Sequence, residues 1–132
     1  MSLLPSFRVE IPGANPRKNR RHVHGPNGVR NSDEFHEFVQ RLRAAWGAAG
    51  HPVIKSGRWR LLIETGWPQK TTLADGLVVP RGDVDAPISV VLDALQECGV
   101  LDDDARVFEQ AATKFYDPKD PRTIITLEVC DA

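Results

Sequence analysis

The chain of 132 residues is 41% hydrophobic and 27% charged, proportions of an ordinary globular protein that argue against disorder and fibrous repeats. At that length it can bury a modest core as one domain over residues 1–132 without disulfides or a structural metal. No apolar run approaches the ~18 residues that cross a bilayer, and a formal net charge of −1 offers no overall attraction to phosphate, so any nucleic-acid binding must rest on how the charge is distributed.

Phe7, Val9 and Ile11 alternate with Arg8 and Glu10, which predicts a half-buried strand ended by Pro12-Gly13. The segment through Asn31 reads as a long loop rich in Pro, Gly, Asn and Arg, of a length that tends to be functional or mobile, and its basic stretch reads either as a phosphate-attracting face or as a solvated loop. It carries the basic run Arg17, Lys18, Arg20, Arg21 with His22 and His24. From Ser32 the apolar residues Phe35, Phe38, Val39, Leu42 and Trp46 recur on one face of a helix. Asn31 or Ser32 can cap it, Asp33 and Glu34 suit its positive end, and Gly47 and Gly50 supply the stop.

Trp59 to Glu64 predicts a second strand, and Leu77-Val78-Val79 a short third one after a polar connection. A second helix starts with Pro87 at its first position, with Ile88, Val91, Leu92 and Leu95 at helical spacing up to Gly99. Val107 to Phe115 and Thr123 to Val129 close the chain as strands. The order predicts an α+β fold, a small mixed sheet with two helices, most simply on one face. Trp46, Trp59 and Trp67 are either core or interface residues. Cys98 and Cys130 lack CxxC spacing and a surrounding set of histidines, so they read as incidental thiols rather than a zinc site. With no secretory signal or membrane span, a cytoplasmic protein is expected.

The carboxylates that could do chemistry are Asp83 and Asp85 before the second helix, and Asp103 and Asp104 after it. A helix of roughly 16 Å, at ~1.5 Å per residue, separates them, so convergence needs the chain to double back or a second subunit to contribute. Two unpaired carboxylates ~4 Å apart repel by about 4 kcal/mol at an effective dielectric of ~20, and a cation is the natural means of holding them together. Taken by themselves, Asp85 also reads as a helix N-cap, Asp102 to Asp104 as a polar turn, and Lys114 as a lysine guarding a strand edge.

Asp83-x-Asp85, then Val91-Leu92-Asp93-Ala94-Leu95, then Asp103-Asp104-Ala105-Arg106-Val107, then Lys114, resembles the signature of RusA-type Holliday junction resolvases, without a gap. The resemblance extends more weakly to the first strand, the loop Asn15 to Arg21 and the first helix. It implies a homodimer that nicks branched DNA with Mg²⁺, or Mn²⁺, and assigns metal-binding carboxylates to Asp83, Asp85 and Asp104. Lys114 matches a basic position of that family; Arg17, Lys18, Arg20, Arg21, Lys70 and Arg81 are the candidate DNA contacts. The family reads Asp-x-Asp-Asn with a lysine four residues after the second Asp, whereas this chain has Ala86 and Ser89 there. Arg81, Lys70 and Lys114 are the cations available to compensate. Three readings follow: an active resolvase, a junction-binding relative with weakened cleavage, and an α/β interaction module that binds metal for structure alone.

Overall fold

A computed structural model of the chain describes residues 5–16, 22–25, 28–31, 33–82 and 84–130, with only the backbone between 22 and 31. The strands are β1 (Ser6–Pro12), β2 (His22–Gly25), β3 (Gly28–Asn31), β4 (Trp59–Trp67), β5 (Lys70–Thr72), β6 (Val78–Pro80), β7 (Val107–Tyr116) and β8 (Arg122–Val129). The helices are α1 (Asp33–Ala48) and α2 (Ala86–Glu97), and a 3₁₀ turn, Asp104–Arg106, leads into β7.

The alternation read in the first strand matches its burial: Val9 and Ile11 are buried while Arg8 and Glu10 are exposed. β1 pairs antiparallel with β8, β8 antiparallel with β4, and β4 parallel with β7, giving the order β1-β8-β4-β7. Val9, Ile125 and Ile63 lie side by side across this mixed sheet, and they share one core with α1 and α2, which pack against the same face. The five apolar residues expected to line α1 are the buried ones, Phe35, Phe38, Val39, Leu42 and Trp46. Fully burying a side chain such as Leu42 contributes ~1.5–3 kcal/mol. Gly50, at φ +70°, follows the helix where an L side chain would be strained. Ser32 and the side chain of Asn31, the expected caps, lie outside the described residues.

On the opposite sheet face, Arg60 bridges Glu109 and Glu128 from the two neighbouring strands. Trp46 and Trp59 are core residues, and their indole N–H groups donate to the Pro52 and Ser56 carbonyls. Cys98 and Cys130 are free thiols. Among the described residues no helix is long and apolar enough to cross a membrane.

The structure corrects three expectations. The segment read as a loop through Asn31 contains a two-stranded antiparallel ladder, β2 with β3. Its turn signal, Gly25-Pro26-Asn27-Gly28, is visible in the sequence. The short third strand does not join the main sheet. Both sides of β4 are taken by β7 and β8, and β6 instead pairs with β5, a strand inside the connection that read as uninformative. Asp75-Gly76 makes that hairpin: Gly76 has φ +91°, and the Leu77 N–H donates to Asp75 Oδ1 at 3.0 Å.

The third correction concerns α2, which starts at Ala86, so Pro87 is its second residue. Its fully buried positions are Pro87, Val90, Val91, Ala94 and Leu95, whereas Ile88 and Leu92 are half-buried flanks. The helix is apolar over a wide arc, with Val91 and Leu95 inside the core and Ile88 and Leu92 packed against it. Small residues such as Ala94 let it sit close to the sheet.

Candidate metal and nucleic-acid site

α2 separates two groups of candidate residues. At its start, the chain passes from β6 through Arg81 and Gly82 toward Asp83, Val84 and Asp85. The Arg81 N–H donates to the Gln69 carbonyl at 2.8 Å, and Gly82 lies flat against the Trp67 ring, where an added Cβ would come within 2.2 Å. Lys114, near the end of β7, extends its ammonium to the Gly82 carbonyl at 2.8 Å. Lys70 places its ammonium 5.2 Å from the centre of the Tyr116 ring. Three of the cations singled out in the sequence therefore stand around one stretch of chain, the approach to Asp83-Val84-Asp85. Asp83 itself, and Arg17, Lys18, Arg20 and Arg21, lie outside the described residues.

Asp85 is the N-cap residue of α2 by position, yet its side chain makes no capping bond. The reason is local. The second helical residue, Pro87, has no N–H, and the N–H of Ile88 is taken by the carbonyl of Asp85 itself at 3.1 Å. The exposed carboxylate is left without a partner among the described residues. Ser89, at the position where the related signature carries lysine, is half-buried in the next turn.

The three aspartates after α2 have separate fates. Asp102 forms a two-pronged ion pair with Arg106, at 2.6 and 3.0 Å. The hydrogen bond from Arg106 holds the Asp102 carboxyl below its ordinary value. Asp103 Oδ1 accepts from the Ala105 N–H at 2.9 Å and caps the 3₁₀ turn. Only Asp104 keeps an exposed carboxylate with no partner among the described residues. Asp103 and Asp104 look alike in the sequence; the turn uses the first and spares the second.

Beside Asp104 lies a feature that sequence reasoning missed. β7 carries a register shift opposite Trp59 and Arg60, so Phe108 has no partner in β4 and is turned outward, 62% exposed. The Arg58 guanidinium covers its ring at 5.5 Å. Gly57, Arg58, Asp103, Ala105, Arg106 and Phe108 line an open depression of about 460 Å³. A bulge of this kind leaves no mark in the hydrophobic pattern.

The chain matches the model of the family described as endodeoxyribonuclease RusA over residues 11–128. It belongs to the RusA endodeoxyribonuclease family. A comparison with curated proteins gave no match. Membership in the RusA family implies a Holliday junction resolvase nuclease acting on branched DNA, and resolvases of this family generally depend on a divalent metal.

Among the described residues, the candidate carboxylates Asp85 and Asp104 stand apart. Asp85 stands before α2 and Asp104 after it, twelve residues or about 18 Å of helix apart. The sheet gives the same picture, because Lys114 reaches the α2 start from a point seven residues along β7, ~23 Å at ~3.3 Å per residue, from Val107, which follows the Asp104 turn. Among the described residues, no three His, Cys, Asp or Glu side chains lie close enough to hold an ion.

Proposed function

We propose that the chain is a Mg²⁺-dependent, structure-selective endodeoxyribonuclease that resolves four-way DNA junctions in recombination and repair as a homodimer. Asp83, Asp85 and Asp104 are its metal ligands, and Mn²⁺ can replace Mg²⁺. Both ions prefer hard oxygen donors, and a carboxylate left unpaired at a protein surface is such a donor. When bound, the ion supplies the Lewis acid of phosphodiester hydrolysis.

The observation that carries this reading is the bond from Lys114 to Gly82. The family's helix lysine is replaced by Ser89 here, and a cation from β7 stands one residue before Asp83 instead. The Lys114 ammonium spends one N–H on the Gly82 carbonyl and keeps two others for a phosphate oxygen. A fixed positive charge there stabilises the negative charge that builds on phosphorus during attack. Lys70 and Arg81 bind backbone phosphates on either side, and Arg17, Lys18, Arg20 and Arg21 extend the contact along the arms. These contacts carry no base readout, so the enzyme selects DNA shape.

The test is nicking of a synthetic four-way junction against a linear duplex of the same sequence, with Mg²⁺. Wild-type protein is expected to nick the junction selectively. Asp85→Asn is expected to abolish nicking and to keep junction binding in Ca²⁺. Binding without nicking by wild type would favour the weakened, junction-binding reading that Ser89 invites. Neither binding nor nicking would leave the interaction module.

A further inference from the structure

We infer that the hairpin formed by β5 and β6 is a wedge whose apolar tip, Leu73 and Leu77, enters the branch point of four-way DNA. The inference rests on the reading of the chain as a junction nuclease, and it supplies the element that tells a branch point from a duplex arm. The two strands form a ladder of their own outside the main sheet, and every residue from 68 to 78 is exposed. None of the hairpin's residues belongs to the hydrophobic core, so the fold does not need this ribbon to hold together.

Its chemistry reverses that of an ordinary surface turn, where the tip is polar. The Leu73 N–H donates to the Leu77 carbonyl at 2.8 Å, which continues the ladder past Thr72 and Val78. Residues directly opposite in a ladder share a face, so the two leucines, 47% and 55% exposed, form one apolar pair beside the turn. Val78 is exposed next to them. Asp75 is the only charge at the tip, and its Oδ1 accepts the Leu77 N–H at 3.0 Å.

The cations stand at the other end. Lys70 begins β5 and Arg81 follows β6; the Arg81 N–H closes the base of the hairpin on the Gln69 carbonyl, and Lys114 reaches Gly82 beside them. Phosphates fit such a collar, whereas an apolar protein partner would have no use for it. From Lys70 to Leu73 the strand advances three residues, about 10 Å at ~3.3 Å per residue, against a major-groove depth of ~8.5 Å. A tip held by phosphates at its base therefore reaches the bases. Along a continuous arm those bases are stacked, and an inserted apolar side chain must unstack them; where the arms meet, stacking is already interrupted and leucine enters at less cost.

Junctions carrying 2-aminopurine, which brightens when it is unstacked, test the wedge in Ca²⁺. The base is placed at the branch point or in the middle of an arm. Wild type is expected to raise the branch-point signal and to leave the arm signal unchanged. Leu73→Ser combined with Leu77→Ser is expected to lose that rise and to bind the junction about tenfold more weakly, with duplex affinity unchanged. Leu73→Met combined with Leu77→Met keeps the tip apolar and is expected to retain both. Urea unfolding of the serine variant should match wild type, because both positions are exposed.

Wild type that binds the junction without the branch-point rise would overturn the inference and leave the nuclease reading standing. A serine variant with the rise and the affinity of wild type would do the same. So would an equal loss on junction and duplex, which makes the hairpin a general groove contact. Light scattering that shows the serine variant dissociating would also overturn it, by making the tip a contact between copies of the chain. Wild type that binds no junction would remove the nuclease reading, and the wedge with it.

Discussion

Gly82→Ala separates the packing that shapes the approach to Asp83 from the chemistry that follows. The added methyl would stand 2.2 to 2.7 Å from three carbons of the Trp67 ring, well inside van der Waals contact at ~3.5–4.0 Å. No backbone strain enters, because Gly82 is not among the positive-φ glycines. The clash is relieved either by rotating Trp67, which breaks its N–H bond to Thr65 Oγ1 at 3.0 Å, or by moving Arg81 and Gly82 away from the ring. Either response costs about 1–3 kcal/mol, the usual range for one methylene too many. For a chain of this size that is roughly 3–10 °C in Tm.

Urea unfolding and a thermal scan measure the cost, and Trp fluorescence reports whether the ring turns. Nicking is expected to fall further than stability, because moving the Gly82 carbonyl releases the Lys114 ammonium from its position. Trp67→Leu removes the ring atoms that clash, so Gly82→Ala should cost much less in that background, a coupling read from a double-mutant cycle. Equal costs in the two backgrounds, or wild-type stability in the single variant, would refute the steric argument.

Lys114→Met is expected to reduce junction nicking about tenfold or more with binding little changed, and Ser89→Lys in that background to recover part of it; both are read from single-turnover rates. Acid stability has a stated sign. Asp102 is held below its ordinary value by the hydrogen bond from Arg106, and Asp117 by the N–H of Asp120, then that of Lys119 and the charge of Arg122. Both carboxyls have a lower pKa folded than unfolded. They therefore stabilise the protein above the ordinary aspartate value, and that contribution is lost as pH falls through their folded values. Asp102→Asn and Asp117→Asn should each flatten the acid limb of a stability profile below about pH 4 and leave its alkaline limb unchanged.

Much of the molecule was legible before any coordinates. The alternation of Phe7 to Ile11 and the helical spacing from Phe35 to Trp46 record which side of each element meets the core, because a residue's face is fixed by a period of two or of 3.6. The gapless run from Asp83 to Lys114 carried the family for a similar reason: spacing along the chain preserves which residues share a loop. Periodicity also found α2, but which positions of its wide apolar arc are fully buried is decided by what packs against it. Strand pairing is likewise decided by neighbours: β4 is flanked by β7 and β8, while β6 pairs with β5.

The candidate site divides along the same line. The sequence alone chose the residue types, hard oxygen ligands and cations, because chemistry belongs to side chains. The resemblance singled out Asp104, and tertiary structure supplied the physical difference from Asp103, since a turn consumes one carboxylate and spares the other. Tertiary structure alone brought Lys114 to Gly82 across more than thirty residues of chain and turned Phe108 outward at a bulge. Distances between residues far apart in sequence depend on how the elements between them pack, and no local pattern contains that information.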